Sequence, residues 1–385
     1  MDSALDKTEH PNSVTSSTAP CFIFAGGGSG GHIFPAMAVA AELRRLRSDC
    51  RVAYCCGERD IDRQILSHVN DEVVQLHAPQ GSDICWRPWS ALPKFWRAFQ
   101  AARQLILKYP NSVVIGTGGY VSVPTVLAAV WLRRPIALLE PNALEGQATS
   151  LLKRFASLVC TGLADIPVAG RGKYVRTGVA LRSEFNQLVD VPYSTKRNVL
   201  LILGGSQGAT TLNDAVITVL QKYPDSFVGW EIVHQTGNHD VERMKQQYEK
   251  LGINARVGPF LTDLWEMYQK AGLVISRCGA TTLAELACAG LPAVLLPHGE
   301  SVRNHQWENA KVLFVHRATP DYALGRPEFL FAETVSELLQ NDFDRKMLSQ
   351  AIRKLARPNA SREIAQHLLE LSGANDAAQP GDVTS

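Results

Sequence analysis

The densest chemistry in the sequence lies near its start. Five glycines and one serine fill positions 26–31, and His32 follows at once. Glycine lets a backbone approach a ligand closely. A glycine turn opening a helix also presents free amides and a positive dipole end, the usual setting for a phosphate. His32, at that turn, is either a helix-start residue bonding its own backbone or a base that titrates near neutral pH. A lysine-bearing phosphate loop is excluded, because His32 stands where the lysine belongs. Gly26, Gly28 and Gly31 also satisfy GxGxxG, and Glu58 lies where the ribose-binding acid of a dinucleotide site would sit, so that reading competes.

Further stretches carry chemistry of the same kind. Gly204, Gly205, Ser206, Gln207 and Gly208 repeat the glycine turn, with Ser206 placed to donate to a phosphate oxygen. In SRCGATTLAELACAGLP, from Ser276, the chain turns at Gly279 and a helix starts near Thr281; Thr281 and Thr282 suit a helix N-terminus. Glu285, in the first turn or so, is either a capping acid or an acceptor for a hydroxyl pair, a ribose diol above all. RNHQWENA, from Arg303, holds His305, Gln306 and Asn309, which either reach a sugar or form a solvated helix face. Between Cys85 and Tyr109, Trp86, Trp89, Phe95, Trp96 and Phe99 alternate with Arg87, Lys94, Arg97, Arg103 and Lys108. Such a helix suits a lipid headgroup surface; core packing of the aromatics with solvated cations is the alternative.

The elements that must position these residues read as a repeated alternation. CFIF, RVAYCCG, VVIGTGGY and PIALLEPN are apolar strand-like runs with helical stretches between them. The first helix is expected from about Phe34 to Arg47, with Pro35 in its first turn. From Asn198 the pattern restarts with NVLLILGGSQGATTLNDAVITVL, then GWEIVHQTG, LVISRCG and PAVLLPHG. Strands alternating with helices imply parallel sheets covered on both faces, and the restart implies two Rossmann-like domains in tandem. A linker is expected between Arg182 and Lys196, and one amphipathic helical segment from about Phe343 to Leu371.

Composition narrows the class. The 385 residues are 45% hydrophobic and 20% charged, with a net charge of +2, which suits a globular protein and does not call for nucleic acid. The eight cysteines show no CxxC pair and no zinc spacing, so they read as buried thiols of a reducing compartment. The polar N-terminus does not read as a signal peptide, and no apolar run approaches 18 residues.

Together, GGGSGGH, TGGYVS at 117–122, GGSQGA at 204–209, RCGATTLAELACAGLPAVLLP from Arg277 and HQWENA at 305–310 resemble the MurG family of glycosyltransferases over roughly residues 20–370. The resemblance implies an α/β chain of GT-B architecture, two Rossmann-like domains with parallel sheets facing an interdomain cleft. It implies an acceptor- and membrane-side domain (20–185) completed by a C-terminal helix at about 355–371 and a UDP-sugar domain (196–354), while the polar composition of the two ends reads as a disordered leader (1–19) and a disordered tail (373–385). The implied reaction is inverting transfer of GlcNAc from UDP-GlcNAc to the MurNAc C4 hydroxyl of undecaprenyl-linked lipid I. The product is lipid II for peptidoglycan synthesis, cell wall biogenesis, cell shape and division. The chain would be peripheral on the cytoplasmic side of the bacterial inner membrane, with no cofactor, metal or nucleic acid.

Carried over by position, Ser29, Gly30 and Gly31 would border the diphosphate and sugar, with His32 as base. Asn142 would contact the sugar, Arg182 and Ser206 the phosphates, and Leu261 the uracil through its backbone. Ala280, Thr281, Thr282, Leu283, Ala284 and Glu285 would hold the diphosphate and ribose, with Glu285 on the ribose hydroxyls. Gln306 would bind the GlcNAc hydroxyls, and Trp86, Trp89, Phe95, Trp96 and Phe99 fall where the family has its membrane patch. The chain departs from the family at Leu139-Glu140-Pro141-Asn142 for HEQN, at GVALR (178–182) for GNPVR, and at Val123 before Pro124. These departures cluster on the acceptor side. The alternatives are a different lipid acceptor such as a diacylglycerol, a relative that binds without turnover, or a dinucleotide-dependent oxidoreductase. Asp60 and Asp62 form a DxD, a metal–nucleotide motif of another glycosyltransferase class; within ERDIDR they read as a helix surface and are discounted.

Overall fold

The computed structural model describes residues 19–79, 88–165, 172–205, 209–298, 304–320 and 327–373. Trp86, Ser206, and the expected leader and tail apart from residues 19 and 373 lie outside them.

The apolar runs form two parallel sheets. The first contains β1 (Cys21–Gly26), β2 (Arg51–Cys56), β3 (Glu72–Gln75), β4 (Ser112–Gly118), β5 (Ile136–Glu140), β6 (Leu158–Thr161) and β7 (Lys173–Arg176), in the order β3-β2-β1-β4-β5-β6-β7. The second contains β8 (Val199–Leu203), β9 (Glu231–Gln235), β10 (Ala255–Gly258), β11 (Ala271–Ser276) and β12 (Ala293–Leu295), in the order β10-β9-β8-β11-β12. Every neighbouring pair is parallel. Unbroken apolar strands are what a sheet covered on both faces demands. In β1, Phe22 and Phe24 enter one core cluster while Cys21, Ile23 and Ala25 enter another. In β8, Leu200 and Ile202 are likewise separated from Val199, Leu201 and Leu203. Strand order reverses between β1 and β4 and between β8 and β11. Such reversals open crevices at the carboxyl ends of strands, where ligands bind. The glycine turns leave β1 and β8 at those points.

The chain crosses between the sheets twice. After the second sheet, helix Ala360–Leu371 returns to helix Gly30–Leu46, where Ile364, Ala365, Leu368 and Leu369 share a core with Val39 and Leu43. Ser361 Oγ donates to the Leu181 carbonyl (2.8 Å) and accepts from its N–H (3.1 Å), fastening the return to the outgoing crossing.

Three local expectations are corrected. The first helix starts at Gly30, not Phe34, so Pro35 is inside it and the Gly31 carbonyl has no helical donor four residues on. The site residues Gly30, Gly31 and His32 are thereby the first turn of a helix. The 343–371 segment is two helices, Asp342–Arg353 and Ala360–Leu371, with Pro358 in the break. Asp62 is fully buried and not on a helix surface. Seven cysteines are buried and unpaired; Cys85 lies outside the described residues. Among the described residues no helix is long and apolar enough to cross a membrane.

Candidate active site in the cleft between the sheets

The crevices of the two sheets open into one cavity of about 770 Å³. From the first sheet it is lined by Ser29, Gly30, Gly31 and His32, by Thr117 to Tyr120, and by Leu139 to Asn142. From the second it is lined by Leu203, Gly205, Phe260, Leu261, Gly279 to Thr282, Glu285 and Gln306.

His32 is held in one tautomer by its backbone partner. Its Nδ1 lies 2.9 Å from the Thr117 carbonyl oxygen. A carbonyl only accepts, so Nδ1 carries the hydrogen and Nε2 keeps its lone pair. Nε2 makes no hydrogen bond among the described residues. Burial pushes the imidazole below its ordinary pKa, against the opposing pull of the Thr117 carbonyl and of Glu140 and Asp62. The ring is neutral and ready to accept a proton. It packs directly over Gly118, whose φ is +109° and whose added Cβ would lie 2.6 Å from His32 Cε1. Gly118 is therefore required both by its backbone angle and by the histidine above it.

The glycine loop is clamped by Asp62, whose carboxylate accepts from Gly28 N at 2.8 and 2.9 Å and from Gly57 N at 3.2 Å. Arg59 donates to the Gly28 carbonyl at 2.9 Å. The discounted DxD thus shapes the loop. Among the described residues no group of three or more His, Cys, Asp or Glu side chains stands ready for a metal.

Two helix N-termini meet across the cavity. Ser29 is the N-cap of Gly30–Leu46 and Gly279 that of Ala280–Ala289, and neither end has a side-chain cap. Their first amides therefore face the cavity without helical acceptors. A Cβ on Gly31 would lie 4.0 Å from Thr281 Oγ1, so the two ends nearly touch. Two positive dipole ends converging on one point make a site for a doubly charged anion.

Glu285 lies one turn deeper than expected, as the sixth residue of its helix, and is 9% exposed. It is no cap. Tyr268, from helix Leu264–Lys270, donates its hydroxyl to Glu285 Oε2 at 3.0 Å. Burial raises the carboxyl to about 7, with Tyr268 and then Arg182 pulling it back. The Arg182 guanidinium stacks 5.1 Å from the ring centres of both Phe34 and Phe185.

Polar side chains bridge the two sheets along the cavity wall. Buried Glu140 accepts from Asn142 N (3.2 Å), Asn142 Nδ2 (3.0 Å) and Gly146 N (2.8 Å). Asn309, on helix His305–Val315 of the other unit, donates to Asn142 Oδ1 and to the Cys278 carbonyl, each at 3.0 Å. It accepts from Ala143 N at 2.8 Å. His305 Nδ1 donates to the Leu144 carbonyl at 3.1 Å. Asn309 and His305 thus tie the units together, and Asn142 keeps one amide hydrogen for a ligand.

The remaining expected residues divide. Leu261 is buried at the cavity wall. Gln306 Oε1 accepts from His298 N at 2.9 Å, which orients its amide. Leu283 joins the hydrophobic core, its N–H donating to the Gly279 carbonyl, and Ala284 also turns from the cavity. In helix Pro88–Lys108, Trp89 (91% exposed) and Trp96 (58%) face outward. Phe99 packs against the first core, and Phe95 lines the cleft. Glu58 pairs with His77 and is not among the residues that line the cavity, so the dinucleotide reading has no support from it there. Sequence reasoning missed Tyr268, Thr117 and the clamping role of Asp62; only the DxD spacing drew notice to the last.

Comparison with known proteins fits this geometry. Residues 22–161 match the glycosyltransferase family 28 N-terminal domain, and residues 199–379 the family 28 C-terminal domain. A UDP-N-acetylglucosamine–N-acetylmuramyl-(pentapeptide) pyrophosphoryl-undecaprenol N-acetylglucosamine transferase of Sorangium cellulosum is 34% identical over 370 residues, covering 91% of this chain and 88% of that protein. A transferase of the same name from Coxiella burnetii is 33% identical, covering 88% of this chain and 96% of that protein. The crystal structure of Acinetobacter baumannii MurG superposes with a TM-score of 0.71 at 27% identity, covering 91% of this chain and 99% of that one. The chain belongs to the MurG family of GT-B glycosyltransferases.

Proposed function

We propose that the chain transfers GlcNAc from UDP-GlcNAc to the MurNAc C4 hydroxyl of lipid I, with inversion at the sugar carbon, giving lipid II for peptidoglycan synthesis. One observation carries the reading. The free Nε2 of His32 faces the same cavity as two uncapped helix N-termini and Glu285. The acceptor hydroxyl attacks C1 of GlcNAc while His32 takes its proton. The C1–O bond to the diphosphate breaks, and UDP carries away the electron pair. Negative charge grows on the diphosphate, where the amides of Gly30, Gly31 and Ala280 to Thr282, the two dipole ends and Arg182 stabilise it. The loop carrying Ser206 would add to this hold. Glu285 takes the ribose hydroxyls, the Leu261 backbone the uracil, and Gln306 and Asn142 the GlcNAc hydroxyls. Leu283 and Ala284 support the helix from its core side.

We also assign residues 20–185 with about 355–371 to the acceptor side and 196–354 to the donor side. The return of the last helix onto the first sheet's core supports this division. The acceptor is a lipid, and Phe95 links the cleft to the outward Trp89 and Trp96 on one helix. That helix would rest peripherally on the cytoplasmic face of the inner membrane, its basic residues on anionic headgroups.

The test is UDP release and GlcNAc incorporation with a lipid I analogue and with a diacylglycerol. Turnover with the lipid I analogue alone, giving the inverted anomer, is expected. Turnover with the diacylglycerol alone contradicts the acceptor assignment. Thermal stabilisation by NADH and none by UDP-GlcNAc contradicts the whole reading.

A further inference from the structure

Glu285 has a partner that no motif marks. Tyr268 is fully buried, and its ring packs edge-on against Phe185, with centroids 5.2 Å apart and planes at 83°. Its hydroxyl has one acceptor among the described residues, Glu285 Oε2 at 3.0 Å. Oε1 makes no hydrogen bond among the described residues, and Glu285 lines the cavity. A buried carboxylate with one oxygen held and the other open is an incomplete site. Leaving it unsatisfied is costly, and two adjacent hydroxyls complete it.

We propose that Tyr268 is a positioning residue of the donor site: its phenol fixes one oxygen of Glu285 so that the carboxylate accepts from the vicinal hydroxyls of a ribose. The inference rests on the placement of the UDP ribose at Glu285. The phenol touches no ligand and acts through the carboxylate. A hydrogen bond to the ionised form favours that form. The groups that face Glu285 are Tyr268 from its own helix, Arg182 from the crossing after β7, and Cys288 on the same helix as Glu285. Of these, Tyr268 and Arg182 both favour the carboxylate, and only Tyr268 bonds to it. Because the free carboxyl titrates at about 7, binding of a diol that needs the carboxylate is linked to proton release near neutrality.

The experiment is the affinity of the full chain for UDP and for 2′-deoxy-UDP across pH 5.5–9, in wild type, Tyr268→Phe and Glu285→Gln. Wild type is expected to bind UDP more tightly as pH rises through about 7. Tyr268→Phe should weaken UDP about tenfold at neutral pH. It should also raise the midpoint by at least about half a unit and lose most of its deficit when the ligand is 2′-deoxy-UDP. An unchanged midpoint, or an equal loss for both ligands, overturns the role of Tyr268. If Glu285→Gln binds UDP as wild type does, the ribose placement itself fails. If Glu285→Gln is weak while Tyr268→Phe is normal, only the role of Tyr268 falls. Tyr268→3-fluorotyrosine keeps the ring and donates more strongly, so it serves if Tyr268→Phe does not fold. It should lower the midpoint, and a midpoint that stays put or rises overturns the proposal.

Discussion

The two walls of the cleft are built differently. On the first, positions are set by bonds to backbone: the Asp62 carboxylate holds the glycine loop, the Thr117 carbonyl holds His32, and Gly118 leaves room for its ring. Most side-chain polar groups there are paired among the described residues, and what stays open is His32 Nε2, one Asn142 amide hydrogen and the first amides of helix Gly30–Leu46. On the second wall the open groups are helix amides and half of a carboxylate that burial holds near neutrality. The histidine of the first wall is aimed without a ligand, whereas the carboxylate of the second keeps one oxygen open. A base must be aimed in advance, because its geometry enters the rate, whereas a binding wall can hold unsatisfied groups for the substrate to satisfy.

The largest effect on this contrast should come from Gly118→Ala. Its new methyl meets the His32 ring, so kcat should fall about a hundredfold or more, while UDP affinity stays within about twofold. Equal losses in both would show that the two walls are not separable. Asp62→Asn replaces a carboxylate that accepts from two amides, Gly28 N on both oxygens and Gly57 N, by a single acceptor oxygen. It should cost on the order of 1–3 kcal/mol in stability and about tenfold in kcat, read by thermal melting and turnover. Glu285→Gln should do the opposite to stability. The folded carboxyl lies at about 7, above its ordinary 4.5, so its stabilising share is full below 4.5 and lost as pH rises through 7. At pH 8.5 the variant should therefore melt higher, by up to about 3 kcal/mol of stability, and at pH 4 the two should coincide. The smallest effect is expected at the outer surface. Trp89→Ser with Trp96→Ser should reduce sedimentation with anionic liposomes a few-fold, leaving UDP affinity unchanged.

Legibility follows the same division. Apolar runs ending in glycine are local signals, so strands such as β1, β2, β4, β8 and β11 and the turns that follow β1 and β11 could be read directly, whereas β3, β6, β7 and β10, four residues each, were not. Helix starts were less legible, because Pro35 is compatible with a first turn and the glycines ahead of it do not look helical. The clamps were out of reach. Asp62 meets Gly28 across 34 residues, Tyr268 meets Glu285 across 17, and Asn309 meets Ala143 across 166. Each is a polar side chain whose partner only the fold supplies, and in the sequence Asp62 resembled a surface acid and Asn309 a sugar ligand.

The central claim is that His32 is the base, and that the Thr117 carbonyl and Gly118 position it independently of the groups that bind the nucleotide. The most direct test is steady-state turnover of a lipid I analogue by His32→Ala, alongside UDP affinity. The account predicts a loss of kcat of about a hundredfold to ten-thousandfold with UDP affinity within about twofold of wild type. A folded His32→Ala protein that turns over at near the wild-type rate would contradict it.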